Sequence, residues 1–141
     1  MKPSHEQVRL AADAIEAEMR LAGLWSHTRP PDAAFSFTRA FGADTMAFEQ
    51  WLQFVFLPRV RDLLRTHGEF PPHSDVGAYA VREFDGRDEL SALVSQLCAF
   101  DALFNNSLPP SDPRATLGWK DWLAVAVLGA GLLWIVIDTL L

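Results

Sequence analysis

The last 20 residues, Trp122 to Leu141, constrain this chain more than any other stretch. Sixteen of them are hydrophobic, and Asp138 is their single charge. Coiled at about 1.5 Å per residue they span about 30 Å, the thickness of bilayer hydrocarbon. The run is apolar on every face, so a soluble core would have to enclose it completely. The pattern favours a transmembrane helix. Trp119 and Trp122 stand at its entrance, where indoles prefer the headgroup layer, and Lys120 can extend to phosphate. Asp138 falls about 24 Å along the helix from Trp122, near the far boundary, where a carboxylate costs much less than at the centre. The expected arrangement is a tail anchor whose preceding domain faces the cytoplasm. Arg114 and Lys120 on that side agree with the positive-inside tendency, and residues 1–20 carry Glu6, Asp13, Glu16 and Glu18 in place of a secretory signal's apolar stretch. Ala126 and Ala130 have the small-xxx-small spacing that lets another membrane helix approach.

The anchor changes what the composition means. The whole chain is 50% hydrophobic, but the first 121 residues hold 54 such residues, about 45%, which is ordinary for a soluble domain and too high for disorder. Those residues carry 12 Lys and Arg against 17 Asp and Glu, a net charge of −5. An acidic balance argues against direct nucleic-acid binding, whose nonspecific affinity comes from basic groups meeting phosphates. A length near 120 supports one small core. A single cysteine, Cys98, excludes an internal disulfide and a Cys-based zinc cluster.

Helical periodicity dominates that domain. Ser4 and Gln7 fit a capping box ahead of Val8, Ala11, Ala12, Ile15, Met19 and Ala22, which predicts a helix from about Ser4 to Ala22 with Gly23 as its terminator. Residues 26–43 read as a loop broken by Pro30 and Pro31, with Phe35, Phe37 and Phe41 either packed on the helices or lining a groove. Asp44 or Thr45 is the expected N-cap of a central helix running to His67 and Gly68, kinked or broken at Pro58. Val76–Phe84 suits a short helix closed by Gly86, and Asp88 is expected to cap a last helix ending at Asn105 and Asn106. No stretch alternates with period two, so the expected fold is all-α: a helical bundle over residues 1–107, a Pro-rich linker over 108–121, and the transmembrane segment 122–141.

The chemistry is sparse. His5, His27, His67 and His73 lack metal-ligand spacing, so no metal and no cofactor are expected. Cys98, on a helix rich in Leu and Val, reads as a core residue. There is no phosphate-binding glycine loop and no G-x-S-x-G. Asp101 lies among Leu97, Cys98, Leu103 and Phe104, where an ion pair or hydrogen bond, with Arg59 or Arg61, would fix one helix against another.

The run from Asp44-Thr45-Met46 through Trp51-Leu52-Gln53 to Pro58-Arg59, with Arg9–Leu10 and the set Leu97, Asp101, Ala102, Leu103 and Phe104, resembles the YqcC-like family of small bacterial proteins over about residues 5–106. The resemblance implies a compact helical domain whose members are named in connection with tRNA pseudouridine synthase C. It adds Trp51, Pro58 and Phe104 as a core signature, and Gln53, Arg59 and Asp101 as a buried polar cluster or a recognition pocket. A synthase itself would need a catalytic Asp on an α/β scaffold with a basic surface, and Gly86-Arg87-Asp88 only faintly echoes its loop. The expected role is a non-enzymatic module at the bacterial inner membrane that engages an unknown protein partner. The alternatives are an accessory to tRNA pseudouridylation or a small enzyme using Arg59 and Asp101.

Overall fold

A computed structural model describes residues 2–105, and every regular element in them is helical. The linker and the segment 122–141, with Trp119, Lys120 and Trp122, lie outside the described residues. Among the described residues no helix is long and apolar enough to cross a membrane.

Helix α1 spans His5–Leu21 and begins at the expected capping box: the Gln7 amide donates to Ser4 Oγ while the Ser4 amide donates to Gln7 Oε1. It ends on Gly23 at φ +72°, with the Leu24 amide reaching back to the Met19 carbonyl and the Gly23 amide to that of Arg20. Glycine takes that left-handed position without steric cost. Val8, Ala12, Ile15 and Met19 form the buried stripe of α1.

The central helix starts later than expected, at Phe48. Asp44 does not cap it; its carboxylate accepts instead from the Thr38 hydroxyl and the Thr38 and Arg39 amides, which pull its pKa down. Thr45 donates to the Ala34 carbonyl. Both candidate caps are thus committed to the preceding loop, and the Ala47 amide donates to Gln50 Oε1 where the helix begins. Helix α2 (Phe48–Trp51) runs through a π turn (Leu52–Phe56) into α3 (Leu57–Thr66) without leaving right-handed backbone angles. The Leu57 amide bonds the Leu52 carbonyl five residues back. Proline supplies no amide to the helical ladder and crowds the carbonyl four residues earlier, so the widened turn just before Pro58 accommodates the ring in a continuous rod. The kink or break expected at Pro58 is thus replaced by a π turn in a helix that runs on. His67, at φ 52°, takes the left-handed position that ends α3.

Helix α4 (Val76–Glu83) lies where the sequence places it, closed by Gly86 at φ +79°. Asp88 does not cap the last helix: a 3₁₀ turn, Asp88–Leu90, leads directly into α5 (Ser91–Asn105). Cys98 is a further correction, because its side chain is exposed on α5 while Leu93, Leu97, Phe100 and Phe104 take the inward positions.

Helix α1 packs on α3 and α5, and α4 packs on α5. Through the middle runs a chain of aromatic contacts, Phe41 to Trp51 (5.1 Å), Trp51 to Phe56 (5.6 Å), Phe56 to Phe100 (5.1 Å) and Phe100 to Phe104 (5.0 Å). Trp51 and Phe56 are fully buried, so one end of the bundle is joined to the other through ring faces and edges. Of the loop aromatics, Phe37 and Phe41 are buried in this core and Phe35 packs against it.

Candidate functional site

The polar groups inside the bundle hold backbone. Asp101, on α5 and 8% exposed, accepts at Oδ1 from the Ser74 hydroxyl (2.6 Å) and at Oδ2 from the Gly77 and Ala78 amides (2.8 and 3.1 Å). Gly77 and Ala78 lie in the first turn of α4, whose amides have no partner within their own helix. Asp75, at the cap position, makes no capping bond; its carboxylate lies 2.6 Å from His73 Nε2. Asp101 therefore caps α4 from a different helix. Burial raises its pKa, while the Ser74 hydroxyl and the two amides favour the ionised form.

Glycine makes this docking feasible. A Cβ on Gly77 would stand 2.6 Å from the backbone N and Cα of Cys98, so the backbones of α4 and α5 touch where no side chain fits. One turn beyond Asp101, Asn105 grips Ser74 twice: its Oδ1 accepts from the Ser74 amide (3.0 Å) and its Nδ2 donates to the Ser74 carbonyl (2.9 Å).

Gln53 repeats that two-point grip elsewhere. Its Oε1 accepts from the Ser26 amide (2.8 Å) and its Nε2 donates to the Ser26 carbonyl (2.7 Å), fixing the chain after α1 to the π turn. A side-chain amide matched to one residue's N–H and C=O reproduces the pairing of a β-bridge.

Gln53, Arg59 and Asp101 therefore do not form the expected shared cluster. Gln53 and Asp101 bond different loops, and neither bonds Arg59. Arg59 is half-buried, and burial pulls its pKa down against the attraction of Asp62. Arg61 does not meet Asp101 either; it bridges α3 to α1 through Asp13 (3.0 Å) and Glu16. Of the expected core signature, Trp51 and Phe104 are buried and Pro58 is exposed. The Trp51 indole N–H is buried without a hydrogen-bond partner among the described residues, and the indole plane stands at 77° to the Phe41 ring. Phe41 itself has φ 59°, a strained conformation for a bulky residue, and its ring is stacked on Tyr79 at 4.2 Å. Among the described residues no group of three or more His, Cys, Asp and Glu side chains could hold a metal.

Sequence reasoning missed Ser26, Ser74, Gly77 and Asn105. Gly77 inside a short apolar helix was the available signal, since a helix-interior glycine is tolerated chiefly where backbones approach.

Residues 7–103 match the DUF446 family, described as tRNA pseudouridine synthase C. The chain belongs to this family. The similar proteins include an uncharacterized protein of Haemophilus influenzae, 33% identical over 104 residues that cover 72% of this chain and 95% of that one. The uncharacterized protein YqcC of Escherichia coli is also 33% identical, over 107 residues covering 72% of this chain and 94% of YqcC. A protein of Pectobacterium carotovorum named tRNA pseudouridine synthase C is 42% identical over 65 residues, which are 46% of this chain but only 17% of that protein. No solved structure matches. The DUF446 match thus spans the helical bundle, and the Haemophilus and Escherichia relatives align with this chain almost end to end.

Proposed function

We propose that this chain is a non-catalytic interaction module, a DUF446 bundle tethered by residues 122–141 to the cytoplasmic face of the bacterial inner membrane. The observation that carries the non-catalytic reading is the commitment of Asp101: both its oxygens are engaged by donors that build the end of α4. A general acid or base must instead present its oxygen to a substrate proton. Gln53 and Asn105 are occupied in the same way by backbone. The tether rests on the 20-residue apolar run and the Trp119, Lys120 and Trp122 set ahead of it. Fractionation of cells expressing the full chain, beside a chain ending at Pro110, tests it. The full chain should sediment with membranes and resist carbonate extraction, and the shortened one should move to the soluble fraction. Equal partitioning of the two refutes the anchor.

A second reading bears on the partner. The Pectobacterium match occupies 17% of a protein named tRNA pseudouridine synthase C, leaving ample chain for a catalytic domain elsewhere in it. A separate bundle of the same family would then act beside such an enzyme as an accessory, through protein contact and not by holding RNA on its acidic surface. Affinity capture of the detergent-solubilised full chain should enrich a pseudouridine synthase, and deletion of the gene should lower pseudouridine in tRNA. Unchanged pseudouridine and no enriched synthase would remove this reading.

A further inference from the structure

The outer face of α1 carries a second apolar stripe. Two of the three large hydrophobic residues exposed among the described residues lie on it, Leu10 at 55% and Leu21 at 81%. With Ala14 and Ala17 between them they recur at steps of four, three and four residues, one continuous helical line. At about 100° per residue this line is centred roughly 160° from Val8, Ala12, Ile15 and Met19, so it points away from the core. Its flank carries both signs of charge, in Glu6, Arg9, Asp13 and Arg20.

The order of the stripe identifies its occupant. Leu-Ala-Ala-Leu reads the same in both directions about the midpoint between Ile15 and Glu16. A twofold interface sets one patch against its own copy. An antiparallel pair of α1 helices places Leu10 opposite Leu21 of the second copy and Ala14 opposite its Ala17, with the small residues at the crossing where backbones come closest. The same register sets Arg20, which pairs with Glu16 of its own chain, between Arg9 and Asp13 of the second copy. A lipid surface fits less well, because a membrane-lying helix carries Lys and Arg on its polar face, whereas this one carries Glu6, Asp13, Glu16 and Glu18 beside Arg9 and Arg20.

We propose that α1 pairs with α1 of a second copy, antiparallel, through Leu10, Ala14, Ala17 and Leu21. Four side chains per protomer make a small interface, so the pair forms weakly in dilute solution. Confinement of the chains to one surface would favour it through raised effective concentration.

Disulfide trapping in the full-length chain tests the register. In a Cys98→Ser background, protein carrying Ala14→Cys is mixed with protein carrying Ala17→Cys and oxidised. The mixed disulfide should form at least about fivefold more than either like-with-like disulfide, because the antiparallel register brings only the unlike pair within bonding distance. Adding Leu21→Glu to both partners should reduce trapping at least about tenfold, since two copies of the buried leucine are lost from each pair. Leu21 is exposed, so this variant should keep the circular dichroism of its parent. Equal yields for all pairings, a like-with-like excess, or trapping indifferent to Leu21→Glu would overturn the proposal. Absence of any disulfide would overturn it too, and flotation with neutral lipid vesicles would then show whether lipid covers the stripe.

Discussion

Truncating Asp101 to alanine leaves the Ser74 hydroxyl and the Gly77 and Ala78 amides without the acceptor they share. Buried donors stripped of a partner at this density cost about 2–5 kcal/mol. Urea unfolding of Asp101→Ala should register that loss, and a change below about 0.5 kcal/mol would show that water or another group replaces the carboxylate. The pH dependence has a definite sign. Burial raises the Asp101 pKa, so the folded protein holds that proton more tightly than the unfolded chain. Its contribution is complete below about pH 4, the unfolded value, and is lost as pH climbs through the folded one. Stability measured upward from pH 4 should contain a falling component that Asp101→Asn removes; the same slope in both proteins contradicts the assignment. Asp101 was legible as a helix-fixing acid because a charge inside an apolar stripe needs a partner. Its partner was not legible. Ser74 and Gly77 lie 27 and 24 residues upstream, in a stretch whose own pattern marks them only as loop and short helix.

Between elements the tightest contact is α4 against α5. Gly77→Ala places a methyl group 2.6 Å from the Cys98 backbone, which cannot turn aside as a side chain would. The helices must separate, at about 3 kcal/mol or more, and thermal unfolding should show a marked drop in Tm. A variant that melts with the parent protein would mean that α4 shifts freely. Gln53→Ala releases Ser26, whose amide and carbonyl the side chain holds, so its effect centres on that loop. Hydrogen exchange at the Ser26 amide should accelerate about tenfold or more while α5 amides stay protected. Uniform acceleration would instead place Gln53 in the global core. Element ends followed sequence where the signal was local, as at Ser4, Gln7 and Gly23. They departed from it where a capping residue had a stronger claim elsewhere: Asp44 and Thr45 are good N-caps by type, yet loop donors and a loop carbonyl engage both. The π turn also escaped the pattern, because a single widened turn leaves the apolar positions on either side individually helical.

At the scale of the whole molecule, the all-helical class of the described residues followed from periodicity alone, and the inward residues of α1 followed from the same repeat. Packing order did not, since Asp101, Asn105 and Gln53 act through contacts that no local pattern encodes. In the Haemophilus and Escherichia relatives the match takes up 95% and 94% of the protein. A chain ending at Pro110 should therefore unfold in a single cooperative transition with a strongly helical spectrum; aggregation or lost helicity would place residues 122–141 within the core. The π turn bears on the bundle at this scale as well. The i→i+5 turn at Leu52–Phe56 takes up one extra residue, so the halves on either side of it keep one shared inward face. Forced into ordinary α spacing with every residue kept, the rod beyond it would swing by about 100°, Val60 and Leu63 would leave the interior, and Arg61 would turn away from Asp13 and Glu16. The widened turn, not the residue count, sets the rotational phase between two halves of one rod.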